Sequence, residues 1–349
     1  MFGRGLGALD AAAELLDLDL GLGTGPASAP EDPPFKGQYP IDGVGMSKLR
    51  APLTPKQAEE RVVDPEVWPL VHGLGVRCLF FDLDDTLYRE PKFPAAVRDS
   101  IARYMVEKLG YDPAGVRERM LQLYEKHGTT ALGLCKEDGK SLDWNDWHKS
   151  VHWGSLDYEL LKKQPLKALK DLLESIPFHK VIFTNADKIH ALKVRARGTR
   201  RGARATGTDV VLKCLEAMGL TDCFDGLIAF ENLQVMRLLQ LGEDNKFQLG
   251  DDPMVVAKPQ PEAFEAALRM AGKYFREPLK PSEVIFLDDS TRNCKAAKAA
   301  GIKTILVGKT INEVQAMGPA ARDICNIAIT DLSVLKDALR AAQGGTVAW

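Results

Sequence analysis

After residue 70, short apolar runs alternate with amphipathic stretches along the chain. Apolar runs of about four to eight residues predict buried strands, and such runs lie at residues 76–83, 179–185, 224–230, 283–289, 302–308 and 326–330. Apolar positions at helical spacing predict helices over residues 261–272 and 291–301, each ending at a glycine. Apolar strands that alternate with helices are typical of a parallel α/β sheet covered by helices on both faces.

The stretch between the first two predicted strands is too long for a simple crossover and carries helical patterns of its own. Two apolar stripes at helical spacing lie in it, formed by Val97, Ile101 and Met105 and by Val116, Met120 and Leu123. We therefore predict a helical cap over residues 94–165, inserted after the first strand. The sheet domain then comprises residues 71–93 and 166–349.

Composition narrows the classes of protein that these elements can form. The 349 residues are 45% hydrophobic, and the net charge of −2 comes from 46 Lys+Arg against 48 Asp+Glu. The apolar runs fall short of the ~20 residues of a membrane span, and the chain lacks the basic excess of a general nucleic-acid binder. Residues 1–50 are rich in Gly and Pro, so we predict a disordered N-terminal extension over residues 1–70. Its acidic residues disfavour an organelle-targeting peptide, and scattered cysteines favour a cytoplasmic location.

The strongest chemical signal follows the first predicted strand, in the sequence FFDLDDTLY at residues 80–88. Asp82 and Asp84 are two positions apart, so an extended backbone places both carboxylates on one face. Two carboxylates so close repel each other unless a cation lies between them. With Thr86 they supply a nucleophile, an acid–base group and a phosphate-binding hydroxyl at the carboxyl end of a parallel strand, where such sheets bind ligands.

Further polar groups occur at the ends of later strands or in the loops beside them. Thr184 and Asn185 end the second strand, Lys258 precedes a predicted helix, and Asp288 and Asp289 end the fourth strand. An ammonium such as that of Lys258 can neutralise a transferring phosphoryl group. Because ligands bind outside the carboxyl ends of parallel strands, we expect these residues to converge there.

The succession D-x-D-x-T, a strand ending in Thr, Lys and D-D resembles the four-motif signature of the haloacid dehalogenase superfamily, over about residues 76–308. The resemblance implies a Rossmann-like core with the cap inserted after the first strand. It also implies that Asp82 attacks phosphorus and that Asp84, an acid that the dehalogenases of the superfamily lack, protonates the leaving oxygen. Thr184 and Lys258 would stabilise charge on the phosphate oxygens, with support from Asn185.

The same resemblance implies Mg²⁺ as the cofactor. Asp82, Asp288 and Asp289 would supply carboxylate oxygens and Asp84 its backbone carbonyl, which are the hard ligands that Mg²⁺ prefers. We expect Asp289 to bind the ion directly and Asp288 to bind it through a water molecule.

Several shorter segments resemble the pyrimidine 5′-nucleotidases, which remove phosphate from nucleoside monophosphates such as UMP and CMP. They are DLDDTLY, KHGTT (126–130), WHKSVHWGSLDYELL (147–161), FTNADKIHALK (183–193) and KPQPEAF. The implied partner is a small phosphate monoester, with neither nucleic acid nor membrane as a partner. Another mononucleotide or a sugar phosphate is the nearest alternative, and a binding or regulatory protein that keeps the fold is the alternative of another class.

The cap supplies candidates for contacts to the base or ribose of such a substrate. They are Tyr124, His127, Thr129 and Thr130, with His152 as a further candidate. Packing or helix capping is the alternative role for each. Three tryptophans of the cap are expected to pack in its core rather than stack on substrate: Trp144, Trp147 and Trp153.

An arginine-rich insert over residues 194–213 interrupts this pattern. Asp187 begins an amphipathic helix whose apolar stripe the insert abolishes, and joining Lys193 to Cys214 restores it as DKIHALKCLEAMGL, ending at Gly219. Introns begin with GT and end with AG. The insert starts with Val, whose codons begin with GT, and ends with Lys, one of whose codons is AAG, so both of its ends fit the boundaries of an intron. Our hypothesis is a retained intron or a gene-model error, and a basic partner-binding loop is the alternative.

Overall fold

A parallel sheet forms the centre of the fold. The computed structural model describes residues 46–49, 74–163, 166–187, 214–238, 240–241, 247–248, 255–319 and 321–343. The strands in these ranges are β1 (Ser47–Lys48), β2 (Cys78–Phe81), β3 (His179–Phe183), β4 (Gly226–Ile228), β5 (Gln240–Leu241), β6 (Phe247–Gln248), β7 (Val284–Asp288), β8 (Lys303–Val307) and β9 (Ile327–Ile329).

Six of these strands pair in parallel, in the order β4-β3-β2-β7-β8-β9, and β1 adds an antiparallel strand beside β4. Strands β5 and β6 form a separate antiparallel ribbon. The α/β class and the six predicted strands are confirmed, each strand being shorter than its apolar run. The order places β2 between β3 and β7, so the groups that follow these three strands share one edge of the sheet.

Helices cover both faces of the sheet, and the segment between β2 and β3 is mainly helical. They are α1 (Lys92–Leu109), α2 (Val116–His127), α3 (Thr130–Lys136), α4 (Trp144–His148), α5 (Lys167–Ser175), α6 (Cys214–Ala217), α7 (Phe230–Leu238), α8 (Pro261–Phe275), α9 (Thr291–Ala299), α10 (Ile311–Ala316), α11 (Ala321–Ile324) and α12 (Leu335–Gln343). A π-helical turn follows α4 at Lys149–Trp153, and 3₁₀ turns lie at Tyr158–Lys163, Thr221–Cys223, Pro281–Glu283 and Leu332–Val334. Within the described ranges, no helix has both the length and the apolar character needed to cross a membrane.

The central strand β2 shows how the two faces of the sheet are filled. Successive side chains of a strand point to opposite faces, and Phe80 and Phe81 accordingly belong to two different apolar clusters. Phe183 packs edge-on against Phe80 at 5.9 Å between ring centroids and against Phe264 of α8 at 5.6 Å. Helix α8 therefore covers the face that carries Phe80, while α5 and α12 supply apolar side chains to the opposite cluster.

The helical segment between β2 and β3 has an apolar cluster of its own. Both predicted stripes face this cluster, and Trp147 packs there edge-on against Tyr104 with 5.1 Å between the ring centroids. Phe93 and Tyr158, near the two ends of the segment, instead join the core of the sheet. The segment thus has its own core and is anchored at both ends, while its standing as a separate domain over 94–165 stays a prediction.

Helix α8 does not end at Gly272, so that expectation is wrong. The helix continues to Phe275 and ends at Arg276, which has a left-handed backbone with φ 59°. A Cβ on Gly272 would stand 3.0 Å from the carbonyl oxygen of Glu277. The glycine therefore permits close contact between the helix and the loop that follows it, rather than stopping the helix. The expected stop at Gly301, with φ 82°, does follow α9.

Four residues assigned to the N-terminal extension are part of the sheet. Met46 is buried in the core, β1 pairs with β4, and the backbone N–H of Leu49 donates to the carbonyl oxygen of Asp225 at 3.0 Å. Gly226 makes room for this strand, because a Cβ there would lie 2.4 Å from the Cε of Met46. The expectation of disorder is therefore wrong for residues 46–49, and residues 1–45 and 50–73 lie outside the described ranges.

The arginine-rich insert and the helix expected from Asp187 onward also lie outside the described ranges. The chain is described again from α6, where Cys214 and Leu215 are fully buried in the main core. Gly219, with φ 67°, follows α6 as the expected stop. The residues after the insert are thus essential packing elements, and the origin of the insert stays a prediction.

Candidate active site

The chemical groups predicted from the sequence stand at the carboxyl edge of β2, β3 and β7. Asp82 follows β2 directly, and its backbone N–H still donates to the backbone of β7 at 2.8 Å. Thr184 follows β3, and Asp288 is the last residue of β7. Carboxylate oxygens of Asp82, Asp288 and Asp289 lie within 4.8 Å of one another. The sheet topology therefore brings together residues that are far apart in the chain.

Lys258 bridges two of these carboxylates. Its ammonium, 1% exposed, donates to Oδ1 of Asp82 at 2.6 Å, to Oδ2 of Asp288 at 2.8 Å and to the carbonyl oxygen of Phe183 at 2.8 Å. All three hydrogens of the ammonium are thereby used. Burial on its own lowers the pKa of Lys258, but the carboxylates of Asp288 and Asp82 outweigh it and hold the pKa above the usual lysine value. The bridging group is therefore a cation at neutral pH.

Asn185 fixes the backbone that carries Lys258. Its Nδ2 donates to the carbonyl oxygen of Lys258 at 2.9 Å, and the backbone N–H of Lys258 donates to its Oδ1 at 2.8 Å. These two hydrogen bonds hold the peptide units on both sides of the Lys258 Cα atom. Asn185 thus acts on the site through the lysine.

Asp288 is fully buried and uses both carboxylate oxygens. Oδ1 accepts from the backbone N–H of Ser290 at 2.8 Å, Oδ2 accepts from Lys258, and Nδ2 of Asn293 lies 3.1 Å from each oxygen. Ser290 also caps α9 by accepting from the backbone N–H of Asn293. The start of α9 therefore holds this carboxylate rigidly in place.

Asp82 and Asp289 have raised pKa values for related reasons. Burial raises the pKa of Asp82 well above its usual range, although Lys258 opposes this effect. Burial, followed by the charge of Asp288, raises the pKa of Asp289 to about 7. Buried negative charge is unfavourable unless a cation compensates it, and one ammonium faces three carboxylates here. A cluster of oxygen donors with excess negative charge fits a hard divalent cation.

Asp84 lies in the turn that follows β2. The hydroxyl of Tyr88 donates to Oδ1 of Asp84, and the backbone N–H of Leu87 donates to the carbonyl oxygen of Leu83 at 3.0 Å. Asp85 has a left-handed backbone with φ 58°, a conformation that aspartate adopts more readily than most residues. The turn therefore orients the Asp84 carboxyl group through its hydrogen bond with Tyr88. Tyr88 was not predicted as a site residue, although it lies in the same sequence motif.

The two motif threonines have different surroundings. The hydroxyl of Thr184 accepts a hydrogen bond from the backbone N–H of Ala186 at 3.0 Å and so shapes the turn after β3. Oγ1 of Thr86 is buried and makes no hydrogen bond within the described part of the chain. Thr86 also lines a cleft of about 440 Å³ together with Arg89 and Asp331. Phosphate binding by either hydroxyl stays a prediction.

The turn between α2 and α3 approaches the loop of Lys258 closely. Gly128 in this turn has φ 85°, and a Cβ on it would lie 2.3 Å from Cδ of Pro259. Thr129 caps α3 by accepting from the backbone N–H of Leu132 at 3.1 Å, and the hydroxyl of the buried Thr130 donates to the carbonyl oxygen of Met120 at 3.3 Å. The KHGTT segment therefore lies beside the loop that carries Lys258, with both threonine hydroxyls used in local structure.

The remaining substrate candidates on α2 have partners as well. Nε2 of His127 lies 2.9 Å from Glu137, and the guanidinium of Arg292 lies 4.4 Å from the ring centroid of Tyr124. Arg292 also donates to the carbonyl oxygen of Tyr124 at 2.8 Å. Contacts from these residues to a base or ribose stay predictions.

A second cluster of polar groups joins the helical segment to the end of β3. Nδ1 of His152 lies 3.0 Å from Oδ2 of Asp187, and Nδ1 of His148 lies 3.5 Å from the same oxygen. His152 also lines a cleft of about 190 Å³ with Asp84. His152 was a candidate from the sequence, whereas His148 and this contact of Asp187 were not predicted. The spacing of four residues between the two histidines is the sequence signal for their proximity.

A family model described as haloacid dehalogenase-like hydrolase matches residues 76–301, more than half of the chain. Among similar solved structures, a HAD phosphatase from Thermococcus onnurineus is 16% identical, with a TM-score of 0.40 over 76% of this chain and 98% of that chain. L-2-haloacid dehalogenase from Xanthobacter autotrophicus is 15% identical, with a TM-score of 0.39 over 76% and 98%. A predicted phosphoglycolate phosphatase from Haemophilus somnus is 16% identical, with a TM-score of 0.40 over the same shares. The matched range contains every motif residue from Asp82 to Asp289.

Proposed function

The chain belongs to the haloacid dehalogenase-like hydrolases, and on that premise we propose that it is a Mg²⁺-dependent phosphomonoesterase acting on pyrimidine nucleoside 5′-monophosphates such as UMP and CMP. The observation that carries the proposal is the buried bridge from Lys258 to Asp82 and Asp288. It holds a carboxylate nucleophile and a cation at one point, as transfer of an anionic phosphoryl group requires.

The proposed reaction has two steps, and Asp84 moves a proton in each. First, Asp82 attacks phosphorus, and the bond from phosphorus to the nucleoside oxygen breaks as Asp84 gives its proton to that oxygen. Second, water attacks the phosphorus of the aspartyl-phosphate, the bond from phosphorus to the Asp82 oxygen breaks, and Asp84 takes the proton from this water. Inorganic phosphate leaves, and both carboxyl groups return to their starting states.

Contacts around the two aspartates support these roles. The ammonium of Lys258, 2.6 Å from Asp82, favours the ionised form that a nucleophile needs. The hydroxyl of Tyr88 donates to Asp84 and holds its carboxyl group toward the cleft that His152 shares. We assign Thr184 and Lys258 to the phosphate oxygens, with Asn185 acting through the lysine.

The donor set at the edge of the sheet is suited to Mg²⁺. Asp82, Asp289 and the backbone carbonyl of Asp84 would hold the ion, with Asp288 behind a water molecule. The hydrogen bonds that already occupy both oxygens of Asp288 support its indirect role. When bound, Mg²⁺ supplies positive charge opposite the phosphate oxygens.

A nucleotide is the proposed substrate because the segments that resemble pyrimidine 5′-nucleotidases lie next to the site. The contact between Gly128 and Pro259 places the KHGTT segment beside Lys258. The cleft between Asp84 and His152 lies against the helical segment, where a base or ribose would extend from the phosphate.

The test is phosphate release from UMP, CMP, nicotinic acid mononucleotide and a sugar phosphate, each with Mg²⁺ and with EDTA. We expect release to require Mg²⁺ and kcat/KM to be highest for UMP or CMP. Preference for the sugar phosphate would contradict the nucleotide assignment but not the phosphatase. No release from any ester would contradict the phosphatase itself and favour a binding or regulatory protein that keeps the fold.

A further inference from the structure

His148, His152 and Asp187 form a compact group outside the catalytic carboxylates. One ligand atom from each of the three residues lies within 4.8 Å of the other two. His148 is 5% exposed and Asp187 is fully buried, while the side chain of His152 is 18% exposed and lines a cleft, so the group is largely buried and open on the side of that cleft. Two different parts of the fold supply it, since the histidines come from α4 and the π turn while Asp187 follows β3.

The local backbone presents the two imidazoles together. Residues four positions apart lie on the same side of a helix, and the rings of His148 and His152 stack with 5.6 Å between centroids. His152 lies in the π-helical turn Lys149–Trp153, a rare element that is frequently found at functional sites. The ring of His148 also packs against Phe230 at 4.9 Å, which fixes its plane.

The distances match those between ligands of one metal ion. Zinc binds imidazole nitrogen and carboxylate oxygen at about 2.0–2.2 Å, so two ligands of a tetrahedral ion stand roughly 3.4 Å apart. The two Nδ1–Oδ2 distances to Asp187, 3.0 Å from His152 and 3.5 Å from His148, bracket that value. Two imidazoles and one carboxylate are also the protein ligands of many zinc sites that keep a further position open.

We propose that His148, His152 and Asp187 bind a divalent transition-metal ion of the zinc class, which links the helical segment to the sheet. The nitrogen donors select against Mg²⁺, which prefers oxygen, so this site and the catalytic carboxylates take different ions.

The site stands close to the catalytic residues without containing them. Asp187 is three positions after Thr184, and His152 lines the same cleft as Asp84. A metal ion there holds the helical segment in one position relative to the turn after β3. It therefore stabilises the fold and the shape of the cleft rather than taking part in phosphoryl transfer.

Cobalt is the probe for this site. The full-length protein is freed of metal with EDTA, transferred to buffer with excess Mg²⁺, and titrated with Co²⁺. Four-coordinate Co²⁺ with nitrogen ligands absorbs visible light strongly, whereas six-coordinate Co²⁺ with oxygen ligands absorbs weakly. We expect one equivalent to give the strong absorption and Zn²⁺ to abolish it by displacement.

Matched histidine variants locate the ion. His148→Gln and His152→Gln each remove a ligand and are expected to weaken Co²⁺ binding by more than about 100-fold. His179→Gln is the control, because His179 also contacts a buried aspartate, Asp225 at 3.3 Å, but lies at the opposite end of β3. It is expected to leave the absorption unchanged.

Two results would overturn the proposal: weak absorption only in the wild-type protein, or strong absorption that survives in both histidine variants. The wild-type protein provides a second measurement that needs no variant. With Mg²⁺ in excess, one equivalent of Zn²⁺ should raise the midpoint of thermal unfolding, because an ion that binds only the folded state stabilises it. An unchanged midpoint would equally overturn the proposal, and phosphatase activity enters none of these measurements.

Discussion

At the scale of single residues, the site depends on one buried ammonium between carboxylates that would otherwise repel each other. Lys258 has Asp82 on one side and Asp288 on the other. The rings of Phe183 and Phe286 each lie 5.1 Å from its ammonium and help to exclude water. Since screening by water is weak at such a place, each of these contacts affects both stability and chemistry.

Replacing Lys258 with methionine keeps most of the side-chain volume and removes the charge. We expect the free energy of unfolding in EDTA to fall by about 3 kcal/mol, because Asp82 and Asp288 become uncompensated buried charges. Urea unfolding followed by tryptophan fluorescence measures the change. Lys167→Met is the control, since Lys167 pairs with Asp171 on the surface and its loss should leave stability nearly unchanged. Equal stability of the two variants would contradict the assignment.

Tyr88→Phe removes a single hydroxyl and tests whether Tyr88 positions the acid. The hydroxyl donates to Asp84, and a hydrogen bond to a charged group, which Asp84 becomes once it has given its proton away, contributes about 1.5–3 kcal/mol. We therefore expect kcat for UMP to fall by about 10- to 100-fold, with KM nearly unchanged, in steady-state assays. A rise in KM with unchanged kcat would show that Tyr88 serves binding instead.

Sequence reasoning identified the motif residues but not their pairings. Asp82 and Asp288 were predicted because each is a polar residue at the end of an apolar run, and Lys258 because it precedes a predicted helix. The bonds between Asn185 and the backbone of Lys258 join residues 73 positions apart, and a linear pattern contains no signal for them. The spacing of His148 and His152 indicates that the two imidazoles lie together, but the sequence contains no signal for their contact with Asp187.

At the scale of elements, the turn between α2 and α3 contacts the loop that carries Lys258. Gly128→Ala adds a methyl group 2.3 Å from Pro259 at a backbone with φ 85°. We expect kcat to fall by about tenfold because the loop of Lys258 must shift. Gly110→Ala is the matched control, since Gly110 ends α1 with φ 75° and has nothing within 4 Å of its Cβ position. Each variant loses about 1 kcal/mol of stability to the left-handed backbone.

The difference between the two variants therefore isolates the contact with Pro259. The midpoint of thermal unfolding should be lower for Gly128→Ala than for Gly110→Ala, and kcat should fall only in Gly128→Ala. If both variants have the same kcat, the turn does not position the loop that carries Lys258.

Glu137, just after α3, makes the helical segment sensitive to acid. Hydrogen bonds from Lys126, His127 and Arg119 lower the pKa of Glu137 to about 2. A carboxylate with a lowered pKa stabilises the fold above its unfolded pKa of about 4.3 and loses that effect as the pH falls toward 2. Thermal midpoints of the wild type and Glu137→Gln should therefore differ at pH 6 and converge near pH 2. A difference independent of pH would contradict the assignment.

Elements with strong patterns were predicted well, and weakly patterned ones were not. Apolar runs identified the six parallel strands, because strands buried on both faces are apolar throughout. The two-residue strands β1, β5 and β6 are too short to show a period. The glycine rule failed for α8 because Gly272 is needed for contact with Glu277, a tertiary cause that local patterns do not contain.

At the scale of the whole molecule, the sheet and the helical segment enclose the proposed reaction. The chain between β2 and β3 contacts the sheet through Gly128 and Pro259, and through His152 and Asp187. Pro259 directly follows Lys258, and Asp187 lies three positions after Thr184, so both contacts are next to residues of the candidate site. The helices of this segment were predictable from its apolar stripes, whereas these contacts depend on how the helices pack.

The arginine-rich insert gives a prediction about the complete chain. A variant that joins Lys193 directly to Cys214 restores the helical stripe. We expect this variant to unfold at a thermal midpoint at least as high as that of the chain with the insert, and to keep phosphatase activity. Calorimetry and the UMP assay on both chains measure this. Loss of folding on deletion, or a dominant transcript that contains the codons for residues 194–213, would contradict the retained-intron hypothesis.

The most direct test of the central claim is capture of the covalent intermediate. The enzyme is mixed with UMP and Mg²⁺, quenched in acid within the first turnover, digested and examined by mass spectrometry. We predict one phosphoryl group on the peptide that contains Asp82. The Asp82→Asn variant should show neither this adduct nor phosphate release. The control Asp171→Asn, which changes a surface aspartate, should behave as the wild type. Phosphate release that persists in Asp82→Asn would contradict the covalent mechanism.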